Sequence, residues 1–91
     1  MAVGEQEVDF GAGTWEAIAT VTGQASILVT SKVEAFIMAK DSTDHSADEH
    51  RVEDIGVVCG NIVAGTGFTI YARARGERPL MGRWLVQWVW V

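Results

Sequence analysis

The amino-acid sequence predicts an all-β domain, an antiparallel β-sandwich or small Greek-key barrel with one short helical turn near residues 43–50. Three observations carry that prediction. Polar and apolar residues alternate with a period of two around Trp15 to Val21, the pattern of a half-buried strand. β-Branched and aromatic residues gather in short runs, as they do on pleated surfaces. Between those runs lie the glycines and the single proline, where turns need a positive or a fixed φ.

The elements follow in order. Trp15, Ala17, Ala19 and Val21 alternate with Glu16, Ile18 and Thr20, and Gly11, Gly13 and Gly23 bound the run. Ser26 to Thr30 and Lys32 to Ala39 read as one or two further strands. In the second, Val33, Ala35 and Ile37 share one face and Lys32, Glu34, Phe36 and Met38 the other. Val52 to Cys59, Asn61 to Ala64, Phe68 to Ala74 and Arg83 to Val91 complete a set of about seven strands, with turns expected at Gly23, Gly60-Asn61, Gly65-Thr66-Gly67, Gly76 and Pro79 to Gly82. Asp41 to His50 breaks the pattern. It is polar and acidic, free of Gly and Pro, and Ser46 with Glu49 has capping-box spacing, so a helical turn is expected there.

A chain of 91 residues builds one domain, spanning residues 1–91. At this size burial covers only about 60% of the unfolded surface, so oligomerisation is a natural source of added stability. Cys59 stands alone and cannot form a disulfide within the chain. The longest apolar run, Trp84 to Val91 interrupted by Gln87, falls short of the roughly 20 residues that span a bilayer. The first residues are acidic and lack the basic and apolar regions of a signal peptide. Synthesis in a cytoplasm is expected, and a virus particle assembled there fits equally well; no membrane partner is expected.

Net charge is −5, which argues against a nucleic-acid surface. Residues 1–54 hold eleven acids and three bases, whereas residues 55–91 hold Glu77 against Arg73, Arg75, Arg78 and Arg83. Such asymmetry permits the acidic part of one copy to face the basic part of another; two differently charged loops on a monomer give the same balance.

Catalytic constellations are weak. His45 and His50 lie five residues apart, not at the spacing that places two ligands on one helical face, and the surrounding acids match no calcium loop. No metal site and no cofactor are expected, and a capped, solvated turn accounts for the same residues. Were the two histidines buried at a subunit contact, that contact would be pH-sensitive. Cys59 ends an apolar strand, where a lone thiol serves as a small hydrophobe. Gly65-Thr66-Gly67 leads into a strand, not a helix, and reads as a hairpin turn and not as a phosphate loop. The chain is not expected to be an enzyme.

The tryptophans near residue 90 are the most unusual feature. Trp84, Val86, Trp88 and Trp90 project to one face of a strand, and Leu85, Val89 and Val91 to the other. A strand apolar on both faces needs two covers. One is the domain's own core. The other is a second sheet, a loop layer or a partner subunit. Trp84, Trp88 and Trp90 are therefore candidates for interface packing, and Arg73, Arg75, Arg78 and Arg83 for polar rim contacts.

Three segments, Ser42 to His50, Gly60 to Ala72 and Gly82 to Val91, resemble small proteins of tailed-bacteriophage structural modules. The resemblance covers roughly the second half of the chain. It implies a virion component, such as a head decoration protein, head fibre or tail accessory subunit, whose partners are further copies of itself or other virion proteins. Two other readings are open: a monomeric module that binds carbohydrate or peptide on a tryptophan platform, and a small metal-dependent enzyme using His45 and His50.

Overall fold

Seven elements form along residues 1–91 of the computed structural model: β1 (Ala2–Asp9), β2 (Glu16–Val21), β3 (Val33–Phe36), α1 (Ala47–Val52), β4 (Ile55–Val63), β5 (Gly67–Ala74) and β6 (Arg83–Trp90). They build two three-stranded sheets, ordered β1-β6-β3 and β2-β5-β4, and every pairing is antiparallel. The expected all-β sandwich with one short helix is what the chain adopts.

Between the sheets lies one core. The even-numbered residues of β6 face it, and Trp84, Val86, Trp88 and Trp90 are all at least nine-tenths buried. Opposite them the second sheet presents Ala17, Ala72 and Ala74 with Val21, Phe68 and Ile70. Large residues on one face thus meet many small ones on the other, as interdigitating layers do. Gly4, opposite Trp88 in the β1–β6 register, belongs to this fit: a Cβ there would overlap the indole ring. Phe68 meets the Trp88 ring edge-on at 5.4 Å, and Trp90 Nε1 donates to Gln24 Oε1.

Several sequence expectations change. The stretch Ser26 to Thr30 forms turns; only Ile27 points inward, while Leu28 and Val29 are exposed, so no period of two sustains a strand. Asn61 does not end a strand. With φ at 52° it sits in a bulge between Gly60 and Val63 inside the single strand β4. β1 was not anticipated at all, because its inward positions include Gly4 and Gln6 and its outward ones Glu5, Glu7 and Asp9. The capping box is present: Ser46 Oγ accepts from Glu49 N–H, and Glu49 Oε1 accepts from Ser46 N–H. The helix it starts runs Ala47–Val52, slightly later than expected.

The second cover of β6 is a loop layer of the same chain. Leu85 and Gln87, on the outward face, are buried. Residues 40–50 tie themselves across that sheet. Lys40 pairs with Glu5 at 2.6 Å, Thr43 donates from its backbone N–H and its hydroxyl to Glu7, and Asp44 accepts from the Arg83 backbone and guanidinium. Ser42 Oγ donates to Arg83 O, and the Gln87 amide donates to Glu5. β3 is too short to pair with the first half of β6, and this strap takes its place.

Four carboxyls are held below their ordinary range, and all four fasten the strap. Hydrogen bonds from Lys40 lower Glu5, from Thr43 lower Glu7, from Arg83 lower Asp44 and from His45 lower Glu49. A depressed carboxyl contributes stability above its unfolded pKa, and that contribution is lost as pH falls through the folded value. Acidification below about pH 4, where ordinary carboxyls titrate, is therefore expected to loosen the strap before the sandwich. Hydrogen exchange at pH 3 and pH 6 checks this: protection relative to the intrinsic rate at each pH falls for residues 40–50 at pH 3 while β5 stays protected. A second expectation concerns Gly67, where a Cβ would overlap the Val21 carbonyl. Gly67→Ala lowers unfolding free energy by about 1–3 kcal/mol or more, read by urea denaturation.

Candidate functional site

Two places gather side chains that could do work: the histidines beneath the strap, and the outward face of the β2-β5-β4 sheet. In the first, the capping box of α1 fixes the position of both histidines. His50 is buried, its Nδ1 at 2.8 Å from Ser46 O and its Nε2 accepting from Leu85 N–H at 2.9 Å. The neutral ring with its proton on Nδ1 satisfies both bonds. His50 thereby stands in for a strand, taking a β6 amide that β3 does not reach.

His45 lies flat on Trp84, with ring centroids 3.7 Å apart, and His50 meets the same indole edge-on. His45 Nε2 points at Met81 O, which also accepts from Trp84 Nε1, and its Nδ1 points at Glu49. Both neighbours are acceptors, so the doubly protonated ring donates to each while the neutral ring donates to one. All four ring nitrogens are engaged within the protein, and no group of three His, Cys, Asp or Glu residues is placed to hold a metal ion. The pair works as a fastening between helix, turn and β6.

The tryptophan candidates turn out differently from the expectation of an interface. Trp84, Trp88 and Trp90 are only 3, 7 and 6% exposed, buried by the chain's own second sheet and strap. Their faces are not free to meet a partner or stack on a sugar. The arginines divide. Arg73 pairs with Glu16 at 3.1 Å, Arg75 with Asp54 at 3.2 Å and Arg83 with Asp44 at 3.1 Å. The basic part of the sequence thus meets the acidic part inside one molecule. These exposed pairs contribute little to stability, at most about 1 kcal/mol each. Arg78 makes none of the ion pairs and borders a shallow cleft with Pro79, Met81 and His45.

What the sequence did not reveal is the second sheet's outward face. In the registers of β2, β5 and β4, Ile18 lies beside Tyr71 and Tyr71 beside Val58, so three apolar side chains form a row across the sheet. Ile18 and Val58 are more than 60% exposed and Tyr71 is 38% exposed. No strap covers them. Glu16, Arg73 and Arg75 border the row, and the whole forms an open groove of about 450 Å³. The glycines of β4 shape it: a side chain at Gly56 would press on Arg75, and Gly60 lies beside the Tyr71 ring. The signal was present as exposed Ile18 in an otherwise polar register, but only the pairing of three distant strands makes it a row.

Cys59, on the inward side of β4, has its thiol pushed up to about 11 by burial and, secondarily, by Glu34. It stays protonated near neutrality and is a poor nucleophile.

Replacing His50 by alanine strands the Leu85 amide in a buried setting. The expected cost is about 1–3 kcal/mol for the lost partner alone, measured by urea unfolding. A change within a few tenths would show that water replaces the ring. Compared with family models, with curated proteins and with solved structures, the chain matches none, so its function is argued from this geometry.

Proposed function

We propose that this chain is a structural subunit that docks onto other proteins of a repeated assembly through the outward face of its β2-β5-β4 sheet. The observation that carries the reading is the difference between the two outward faces. One is covered by the chain's own strap over Leu85 and Gln87, with Val3 and Phe36 exposed beyond it, whereas the other has no strap and leaves Ile18, Tyr71 and Val58 in an open row. An apolar row rimmed by charged pairs is the anatomy of a protein contact: the centre is desolvated on docking and the rim keeps its water. The resemblance of Ser42 to His50, Gly60 to Ala72 and Gly82 to Val91 to tailed-phage structural proteins gives the assembly a concrete form, a virion in which a small accessory subunit is repeated.

A ligand-binding reading has one observation in its favour. Tyr71 lies on the groove floor, with the planar groups of Glu16, Arg73 and Arg75 at its border, a combination that suits a sugar ring. The aliphatic neighbours Ile18 and Val58 offer a sugar no hydrogen bonds, so the protein contact is the better fit.

The test is particle composition. Particles banded by density from cells carrying the encoding genome are expected to contain this chain by mass spectrometry. Ile18→Asp should reduce its amount relative to the main shell protein by about tenfold or more, while the exposed site leaves folding within about 0.5 kcal/mol. Particles with a complete peptide inventory that lacks this chain would overturn the virion reading. Full incorporation of the Ile18→Asp variant would overturn the docking face.

A further inference from the structure

We infer that the free edge of β4 pairs, antiparallel and about a two-fold axis, with β4 of a second copy of this chain. The pairing joins two three-stranded sheets into one of six strands.

The sandwich has four sheet edges, β1 and β3 on one sheet and β2 and β4 on the other. An unpaired edge is a row of open amides and carbonyls that invites another strand, and proteins blunt such edges with charge, brevity or local caps. Two of the four edges here are blunted, and a third is capped at its first residue only. β3 has four residues. β1 carries Glu5, Glu7 and Asp9, so pairing with itself would bring carboxylates together in a chain already at −5, and the Gln6 amide caps Glu7 O. β2 opens at Glu16, whose carbonyl already accepts from Thr14 Oγ1.

β4 is the exception. Its nine residues, Ile55 to Val63, include no charged residue and no proline. The register fixes which backbone groups are open. Arg75 N–H bonds to Asp54 O, so the residues of β4 that bond to β5 are the even-numbered ones. Ile55, Val57 and Cys59 therefore aim their amides and carbonyls away from β5, and no side chain caps them. The bulge beyond Gly60 ends the straight part of the edge.

One register suits these groups. With Val58 opposite the partner's Val58, Val57 exchanges hydrogen bonds with the partner's Cys59, and Gly56 falls opposite the partner's Gly60. The Arg75 side chain lies over Gly56, so a glycine across from it leaves the guanidinium room. On the outward face the row Ile18, Tyr71, Val58 runs straight on into the partner's Val58, the partner's Tyr71 and the partner's Ile18. A three-residue apolar row becomes one of six. Strand addition of this kind draws affinity from the backbone and register from alternate side chains. Edge pairing alone covers less than the roughly 800 Å² per partner typical of stable interfaces, so the dimer is expected to depend on concentration.

The edge and the docking row meet at Val58, and this inference rests on the backbone groups of the edge and not on the docking reading. Light scattering across concentration on the recombinant chain should show mass rising from 9.9 kDa towards twice that value. Val57→Pro removes an amide that β5 does not use and puts the ring in the partner's path. It should weaken the dimer by at least about tenfold while the circular dichroism of the monomer is unchanged. Should that variant fold poorly, Val58→Cys on a Cys59→Ala background gives a second reading. Under mild oxidation it forms a disulfide dimer, because opposed residues at a non-hydrogen-bonded pair lie about 4.5 Å apart, whereas Ile18→Cys on the same background does not. A strict monomer at millimolar concentration, or a dimer that is untouched by Val57→Pro and not cross-linked through Val58→Cys, overturns the pairing. Loss of virion incorporation with the dimer intact would instead strike only the docking reading.

Discussion

Every part of this fold depends on β6 being covered twice. Its inward side carries three indoles, each with about 150–250 Å² to remove from water, which is the largest apolar contribution in so small a chain. The second sheet faces them with Ala17, Ala72 and Ala74 among larger residues, and Phe68 meets Trp88 edge-on. The outward side, with Leu85 and Gln87, would be left wet by a plain three-stranded sheet whose third strand has only four residues. The strap and its capped helix exist to close that side. His50 makes the substitution literal, by taking a β6 amide through an imidazole nitrogen where a neighbouring strand would use a carbonyl.

The two outward faces are therefore built on different chemistry. Over the first sheet the contacts are short and polar: carboxylates on β1 for Lys40 and Thr43, the Arg83 carbonyl for Ser42, and Asp44 for Arg83. Over the second sheet no loop of the chain is tied down, and the exposed Ile18, Tyr71 and Val58 lie among Glu16, Thr20 and Arg73. The arginines near that face are matched to acids of their own molecule, which leaves a partner to be chosen by shape and apolar area more than by charge.

Much of the fold was legible because β2, β5 and β6 carry their face pattern in adjacent residues. The capping box at Ser46 and Glu49 was readable for the same reason: its two hydrogen bonds span only three residues. β1 was not readable, since Gly4 is there to admit Trp88, a residue more than eighty positions away, and Glu5 and Glu7 serve the strap. Gly60-Asn61 looked like a turn because a bulge uses the same residues as one. The role of the tryptophans turned on what covers β6, and a strand's own sequence does not say whether its cover is its own chain or another. The row of Ile18, Tyr71 and Val58 was hidden because its members come from three separate strands.

The position of β6 in the chain bears on how the molecule reaches its native state. The central strand of the first sheet pairs with β1, from the opposite end of the sequence, and with β3, some fifty residues before it. Neither pairing can form locally. Both demand that a long loop be closed before any hydrogen bond rewards the closure. The β4–β5 hairpin, joined through Gly65, is the one long pairing available early. During synthesis the alanine face of the second sheet would wait uncovered until residues 83–90 had emerged, and for that interval the nascent chain exposes apolar surface on both sides of one sheet.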